Sequence, residues 1–106
     1  MVTQQFALNT AREFVQAILA KGFPLKKALL FGSFSRNEQG PWSDIDLALV
    51  ADDFMGVGYF DLKHFIDVKI SNEKFTVIEP HTFSTAHFEQ GDPFVEEIKK
   101  AGINLL

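Results

Sequence analysis

The chain has 106 residues, 46% of them hydrophobic, which is enough for one compact core and predicts a single domain over residues 1–106. Its formal net charge of −4 opposes binding to phosphate backbones, and without a local basic patch we expect no general nucleic-acid binding. The sequence contains no cysteine, which excludes disulfides, thiolate nucleophiles and zinc–thiolate sites.

The N-terminal segment predicts neither a signal peptide nor a membrane anchor. Arg12 and Glu13 interrupt residues 1–20, where a signal peptide would carry a basic head followed by an unbroken apolar run. No stretch approaches the roughly 18 apolar residues that a membrane span requires. Together with the lack of cysteine, this predicts a cytoplasmic protein without membrane contact.

The first predicted element is a helix over residues 10–21. Asn9 or Thr10 suits its N-cap, and Gly22 with Pro24 ends it. Four apolar residues fall on one helical stripe: Phe14, Val15, Ile18 and Leu19. The segment is therefore expected to bury one face against a core.

Two short apolar runs then predict buried central strands. They lie at Lys27–Phe31, which ends at Gly32, and at residues 45–50, where Asp46 is the polar exception. An unpaired charge at Asp46 would be costly inside a core, so this residue is expected to have a specific role.

Three more elements complete the prediction. Residues 59–70 suit a second helix, and residues 75–78 suit a strand halted by Pro80. Pro93–Ala101 predicts a helix, with proline and acidic residues at its start and lysines near its end. Strands alternating with helices predict an α+β (α/β-like) domain, with a short mixed sheet flanked by helices.

A pair of aspartates at the start of the second strand indicates a cation site. Side chains of a strand alternate between its faces, so Asp44 and Asp46 project to the same side. Two neighbouring carboxylates repel each other unless a cation lies between them. Oxygen ligands without nearby cysteine or histidine favour Mg²⁺ or Mn²⁺, whose remaining positions suit the phosphates of a nucleoside triphosphate.

The turn after the first strand indicates an anion site. Gly32 allows a tight bend, so that its amide, the amide of Ser33 and the Ser33 hydroxyl can meet phosphate oxygens. Arg36 follows three residues after Ser33 and has two possible roles. It can reach the same phosphates, or it can hold the loop that carries the aspartates.

Each of these features has a structural explanation on its own. An isolated Gly-Ser after a strand is usually only a turn, and an aspartate at a strand start is more often a cap or a solvent-exposed residue. The combination argues for a nucleotide site. In chain order it comprises Gly32-Ser33, Arg36 and, beginning ten residues after Ser33, Ser43-Asp44-Ile45-Asp46-Leu47.

This combination resembles the signature of the minimal nucleotidyltransferases of the DNA polymerase β-like superfamily, which runs Gly-Ser, variable residues including Arg, then Ser-Asp-x-Asp-Leu. The resemblance covers residues 31–50 closely, and the order of helices and strands extends it over nearly the whole chain. It implies the polymerase β-like nucleotidyltransferase fold. Asn37 stands where the family commonly has glycine, a difference expected to alter only the loop.

The resemblance also implies roles for individual residues. Asp44 and Asp46 would bind two divalent cations, Mg²⁺ or Mn²⁺, that activate the α-phosphate of ATP or another NTP. Pyrophosphate would then leave with one metal. The residues assigned to the nucleotide are Gly32, Ser33, Arg36 and Ser43.

A third carboxylate, which the family's transferases use to deprotonate the acceptor hydroxyl, is not obvious. Phe75 and Thr76 stand where it usually lies, and neither is a base. Glu79 is the only acid on that segment. It can serve only if its face of the strand points toward the aspartates; otherwise it is an exposed residue before Pro80. His81, just beyond, is the one histidine expected at the edge of the site.

Two functions follow from the resemblance. The first is transfer of a nucleoside monophosphate, AMP from ATP being expected, to a hydroxyl of a partner protein or small molecule. The second is a catalytically weak or inactive antitoxin-like module that pairs with a HEPN-type toxin. A chain of this length leaves little beyond the nucleotide half-site, so a partner protein or a homodimer is expected to complete it.

Overall fold

A computed structural model describes residues 3–106 and contains a mixed sheet of four strands. The strands are β1 Lys27–Phe31, β2 Ile45–Ala51, β3 Ile78–Ser84 and β4 Ile103–Asn104. Their order across the sheet is β3-β2-β1-β4. β2 is antiparallel to β1 and parallel to β3, and β4 is antiparallel to β1.

Helices flank this sheet, which confirms the predicted α+β fold. They are α1 Gln4–Ala20, α2 Gly58–Asp61, α3 Ile66–Lys69, α4 Thr85–Gln90 and α5 Pro93–Ala101. Within residues 3–106, no helix combines the length and the hydrophobicity needed to cross a bilayer.

The two faces of the sheet bury different clusters. One face packs against α1, and its strand residues include Leu30, Leu47 and Leu49. The other packs against α4 and α5 through a second cluster that comprises Leu29, Phe31, Ala48, Val50, Phe83, Phe88, Val95 and Ile98. Asp46 alternates with Leu47 and so shares the second face with Ala48. The polar residue of β2 therefore lies where the apolar cluster under α5 ends.

Helix α1 starts six residues earlier than the predicted start at residue 10. Its N-cap is Thr3, whose side chain accepts a hydrogen bond from the Phe6 amide at 3.1 Å, and neither Asn9 nor Thr10 is a cap. Thr10 is buried in the helix. The buried face of α1 extends toward the N-terminus as far as Ala7. The helix therefore begins one turn before Ala7, and its N-cap lies there.

The predicted helix over residues 59–70 is broken. α2 is followed by a 3₁₀ helix, Leu62–His64, and Phe65 leaves the helical conformation, with φ −144° and ψ 15°, before α3 begins. The Phe65 ring is buried against the rings of Phe14 and Phe54. Burial of this ring overrides the local helical pattern.

The predicted strand at residues 75–78 is wrong. Glu73–Val77 is a 3₁₀ helix, and β3 continues through Pro80 to Ser84. Proline fits there because β3 is an edge strand, where a missing N–H can face solvent. β1 and α5 have their predicted bounds and β2 is one residue longer than predicted, whereas α4 and β4 were not predicted.

Candidate active site

The glycine turn after β1 lies directly against Asp46. Gly32 begins a 3₁₀ helix, Gly32–Phe34, with a φ of +74°. A Cβ atom added at Gly32 would overlap with Oδ2 of Asp46. The backbone conformation at position 32 favours glycine, and a side chain there would displace the Asp46 carboxylate. The glycine turn at the start of the sequence motif and the aspartate near its end are therefore in contact.

Three metal-ligating side chains converge beside this turn. Asp46 is paired with Glu79, and Ala48 with His81, in the parallel register of β2 and β3. Asp46, Glu79 and His81 therefore project from the same face of the sheet, and their ligand atoms lie within 4.8 Å of one another. Nε2 of His81 lies 3.3 Å from Oδ1 of Asp46 and 3.9 Å from Oε1 of Glu79. Glu79 therefore faces Asp46, and its role as the third carboxylate stays a prediction.

Aromatic rings support the imidazole of His81. Its ring centroid lies 5.0 Å from that of Phe31 and 6.1 Å from that of Phe94, both in edge-to-face arrangements. The Phe31 and Phe94 rings also contact each other at 5.7 Å. The side chains of His81 and Asp46 are 30% and 27% exposed, whereas that of Glu79 is 55% exposed. The imidazole and Asp46 are thus the more buried part of the cluster.

Asp44 lies one residue before β2 and is exposed. In the part of the chain that the structure describes, the three-residue cluster contains Asp46 but not Asp44. The charge of Asp44 also acts on Lys69: burial lowers the pKa of the Lys69 ammonium, and the Asp44 carboxylate opposes that shift. Joint cation binding by Asp44 and Asp46 therefore stays a prediction.

The loop between the turn and β2 holds the other predicted nucleotide residues. Nε of Arg36 forms an ion pair with Glu38 at 3.0 Å on the surface. The carbonyl of Ser33 accepts the Glu38 amide at 2.8 Å. The hydroxyl of Ser43 accepts the Gly40 amide at 2.9 Å. Arg36 and Ser43 thus make contacts within the loop that joins the two halves of the motif, and their roles toward a nucleotide stay predictions.

A buried aspartate that the sequence pattern did not single out stabilises the strand carrying His81. Asp61 is only 1% exposed. It accepts hydrogen bonds from the amides of Met55 and Gly56, at 2.8 and 2.9 Å, and from the hydroxyl of Thr82 at 2.6 Å. Asp61 lies in a segment predicted as an ordinary helix. The only sequence signal for its role is that it is an acidic residue next to the apolar residues of that segment.

Comparison with known proteins assigns the chain to a family. The family model described as "Polymerase beta, Nucleotidyltransferase" matches residues 13–106. The chain belongs to this nucleotidyltransferase family. No curated protein sequence matches this nucleotidyltransferase domain.

Two solved structures are similar in fold to this nucleotidyltransferase domain. A provisionally assigned nucleotidyltransferase from Sulfolobus solfataricus has a TM-score of 0.67 at 17% identity, with 95% of this chain and 80% of that chain covered. A toxin-antitoxin structure with AMP-PNP has a TM-score of 0.56 at 19% identity, with 90% and 72% covered. At these identities the likeness concerns the fold.

Asn37, which departs from the family's usual glycine, keeps the backbone that glycine would allow. Its φ is +55°, and it is the one non-glycine residue with a positive φ in residues 3–106. Asparagine tolerates this left-handed conformation better than most residues. The substitution is therefore accommodated within the loop, as expected.

The donor set of the three-residue cluster fits a divalent cation, which members of this nucleotidyltransferase family generally use together with an NTP. Carboxylate oxygens of Asp46 and Glu79 and an imidazole nitrogen of His81 face a common point. Two carboxylates this close repel each other, and a cation between them removes that cost. Gly32 presents no side chain on the Asp46 side, which leaves the carboxylate beside a bare backbone turn.

Proposed function

We propose that this domain transfers a nucleoside monophosphate, AMP from ATP, to a hydroxyl group of a partner protein or small molecule. The observation that carries the proposal is the contact between the Gly32 turn and Asp46, with Glu79 on the neighbouring strand. This contact supports the proposal because the transfer requires an anion-binding turn and metal-binding carboxylates side by side.

In this proposal the Gly32 and Ser33 amides hold the triphosphate, and Asp44 and Asp46 hold Mg²⁺ or Mn²⁺. When bound by these residues, the cation would neutralise charge that develops on the phosphoryl oxygens. The acceptor oxygen forms a bond to the α-phosphorus while the bond to the bridging oxygen breaks, so pyrophosphate leaves. Glu79, whose carboxylate lies beside the cation site, accepts the proton of the acceptor hydroxyl, for which its exposed position beside Asp46 is suitable.

Arg36 and Ser43 are proposed to act from the loop. Arg36 is partly exposed and paired with Glu38, so its guanidinium can exchange that carboxylate for a phosphate. Ser43 fixes the entry to β2 through Gly40. We also propose that the domain acts in the cytoplasm, where nucleoside triphosphates are supplied.

The test is incubation with α-³²P-labelled ATP, Mg²⁺ or Mn²⁺, and candidate acceptors, including the product of the neighbouring gene. Asp46→Asn is expected to abolish label transfer. Asp52→Asn is the matched control, because Asp52 follows the opposite end of the same strand and its carboxylate faces Lys26 at 3.9 Å. Equal labelling by wild type and Asp46→Asn would refute the proposal.

A second candidate is an antitoxin-like module that pairs with a HEPN-type toxin or with a second copy of itself. The fold likeness to a toxin-antitoxin structure favours it. A further observation is Trp42, which is 93% exposed and lines a cavity of about 290 Å³ together with Asp44 and Val77. A large exposed apolar side chain beside the site suits a protein partner.

Co-purification with the neighbouring gene product tests this second candidate. Binding that survives Asp46→Asn but is weakened at least tenfold by Trp42→Ala would support a partner surface at Trp42. A chain that elutes as a monomer and retains no partner would contradict it, whereas elution as a dimer would support the homodimer.

A further inference from the structure

We infer that the cation of this site has an imidazole ligand: His81 binds it together with Asp46 and Glu79, and this gives the site a preference for Mn²⁺ over Mg²⁺. The inference rests on the proposed function for the role of Asp46 as a metal ligand. It adds a nitrogen donor to a site for which the sequence motif supplies only oxygen.

The separations between donor atoms fit one ion. Neighbouring ligands of an ion with bonds of about 2.1 Å lie about 3.0 Å apart in octahedral coordination. Nε2 of His81 lies 3.3 Å from Oδ1 of Asp46 and 3.9 Å from Oε1 of Glu79. All three donor atoms lie within 4.8 Å of one another, and Glu79, with 55% of its side chain exposed, has the most freedom to approach an ion.

The surroundings hold two of the ligands in place. The Phe31 and Phe94 rings pack on the imidazole, and the β2–β3 register aligns His81 with the strand that carries Asp46. On its other side Asp46 lies against Gly32. A preorganised ligand loses less rotamer freedom on binding, so these contacts favour ligation by His81 over a purely structural contact.

The chemistry of the donors decides the preference. Mg²⁺ selects oxygen ligands and demands nearly ideal octahedral geometry, whereas imidazole suits the transition metals. A site in which an imidazole joins the carboxylate ligands therefore gains affinity for Mn²⁺ from the nitrogen and gains little for Mg²⁺. Removing the imidazole is expected to weaken Mn²⁺ binding much more than Mg²⁺ binding.

The test uses electron paramagnetic resonance of Mn²⁺ bound to the full chain in the absence of nucleotide. Wild type is expected to show electron spin echo modulation from a directly bound ¹⁴N nucleus, and histidine labelled with ¹⁵N is expected to change it. His81→Gln should abolish the modulation and weaken Mn²⁺ binding about tenfold to a hundredfold. Mg²⁺ affinity, from competition with Mn²⁺, should change by no more than about twofold.

The matched control is His64→Gln. The His64 ring packs against Phe23, at 5.0 Å between centroids, and is outside the three-residue cluster. This variant should keep both the modulation and the affinity. Circular dichroism of each variant checks folding, and the ¹⁵N labelling tests ligation in the wild-type protein even if His81→Gln does not fold.

The outcomes separate this inference from the proposed function. No Mn²⁺ binding by wild type, Mn²⁺ bound without nitrogen modulation, or modulation that persists in His81→Gln would each overturn the imidazole ligand. Nitrogen modulation without label transfer from ATP would support the ligand while refuting the transferase proposal. Label transfer in a protein that lacks nitrogen modulation would support the transferase proposal and refute the imidazole ligand.

Discussion

The backbone of Gly32 packs against the carboxylate of Asp46 so closely that a methyl group at position 32 would overlap with it. Gly32→Ala is expected to destabilise the fold by about 2–4 kcal/mol, because it adds this overlap to a backbone φ of +74°. Divalent cation binding should weaken in the same variant, since Asp46 has to move. Urea unfolding and metal titration measure the two effects.

Gly22→Ala provides the control for this prediction. Gly22 also has a positive φ, +95°, but a Cβ atom there would meet nothing within 4 Å. This variant should cost about 1 kcal/mol from backbone strain alone and leave metal binding unchanged. Equal losses of stability in the two variants would contradict the overlap at Asp46.

Removal of the buried charge at Asp61 should loosen the strand that carries His81. Asp61→Asn keeps the size of the side chain but replaces one acceptor oxygen with a donor, which faces the Thr82 hydroxyl or a backbone amide. We expect a loss of about 2–4 kcal/mol in unfolding free energy. Thr82→Val removes only one of the three hydrogen bonds and should cost less. A neutral effect of Asp61→Asn in urea unfolding would contradict this role.

The loop at Asn37 predicts a specific order of stabilities. Asn37→Gly should be within about 0.5 kcal/mol of wild type, because glycine adopts the observed φ of +55° without strain. Asn37→Ala should be less stable by about 1 kcal/mol, since the left-handed conformation is sterically unfavourable for alanine. Thermal denaturation of the three proteins gives the ranking, and an alanine variant as stable as the glycine variant would refute it.

The cap of α5 predicts a dependence of stability on pH. Hydrogen bonds from the Val95 amide, at 2.8 Å, and from Nε2 of His87, at 2.7 Å, hold the pKa of Asp92 below its usual range. A lowered pKa in the folded state stabilises the fold above the unfolded value of about 3.9, and this contribution is lost as the pH falls through the folded value.

Asp92→Asn isolates that contribution, because asparagine is also a good N-cap but carries no charge. The melting temperature of the wild type is expected to fall more steeply than that of the variant as the pH is lowered below about 4. Parallel melting curves over the acid range would show that the ionised Asp92 makes no such contribution.

The parts of the fold that the sequence predicted are those with strong local patterns. Lys27–Phe31 and Pro93–Ala101 have their predicted bounds, since an apolar run ending in glycine and a proline-started, charge-matched helix are both local signals. The break at Phe65 and the strand through Pro80 were not predicted. Both depend on tertiary context, namely the burial of an aromatic ring and the position of β3 at an edge of the sheet.

The candidate site also has one part that the local sequence predicted and another part that depends on tertiary context. The Gly32 turn and Asp46 belong to the one motif from which the sequence predicted a nucleotide site, and the structure places these two residues in contact. The pairing of Asp46 with Glu79, and the approach of His81, depend on the register between β2 and β3, which residues far apart in the sequence determine. Asp61 was missed because two of its partners, the amides of Met55 and Gly56, belong to a turn that the sequence did not predict, and the third, the Thr82 hydroxyl, lies on a distant strand.

The position of Pro80 in β3 also bears on self-association. An uncovered strand edge offers its amides and carbonyls as a template on which another molecule can assemble. Pro80 has no N–H to offer, and the charged Glu79 precedes it on this outermost strand. Continuous strand pairing between two molecules is therefore disfavoured along β3. The proline that is tolerated on this edge strand thus also opposes aggregation by edge-to-edge pairing.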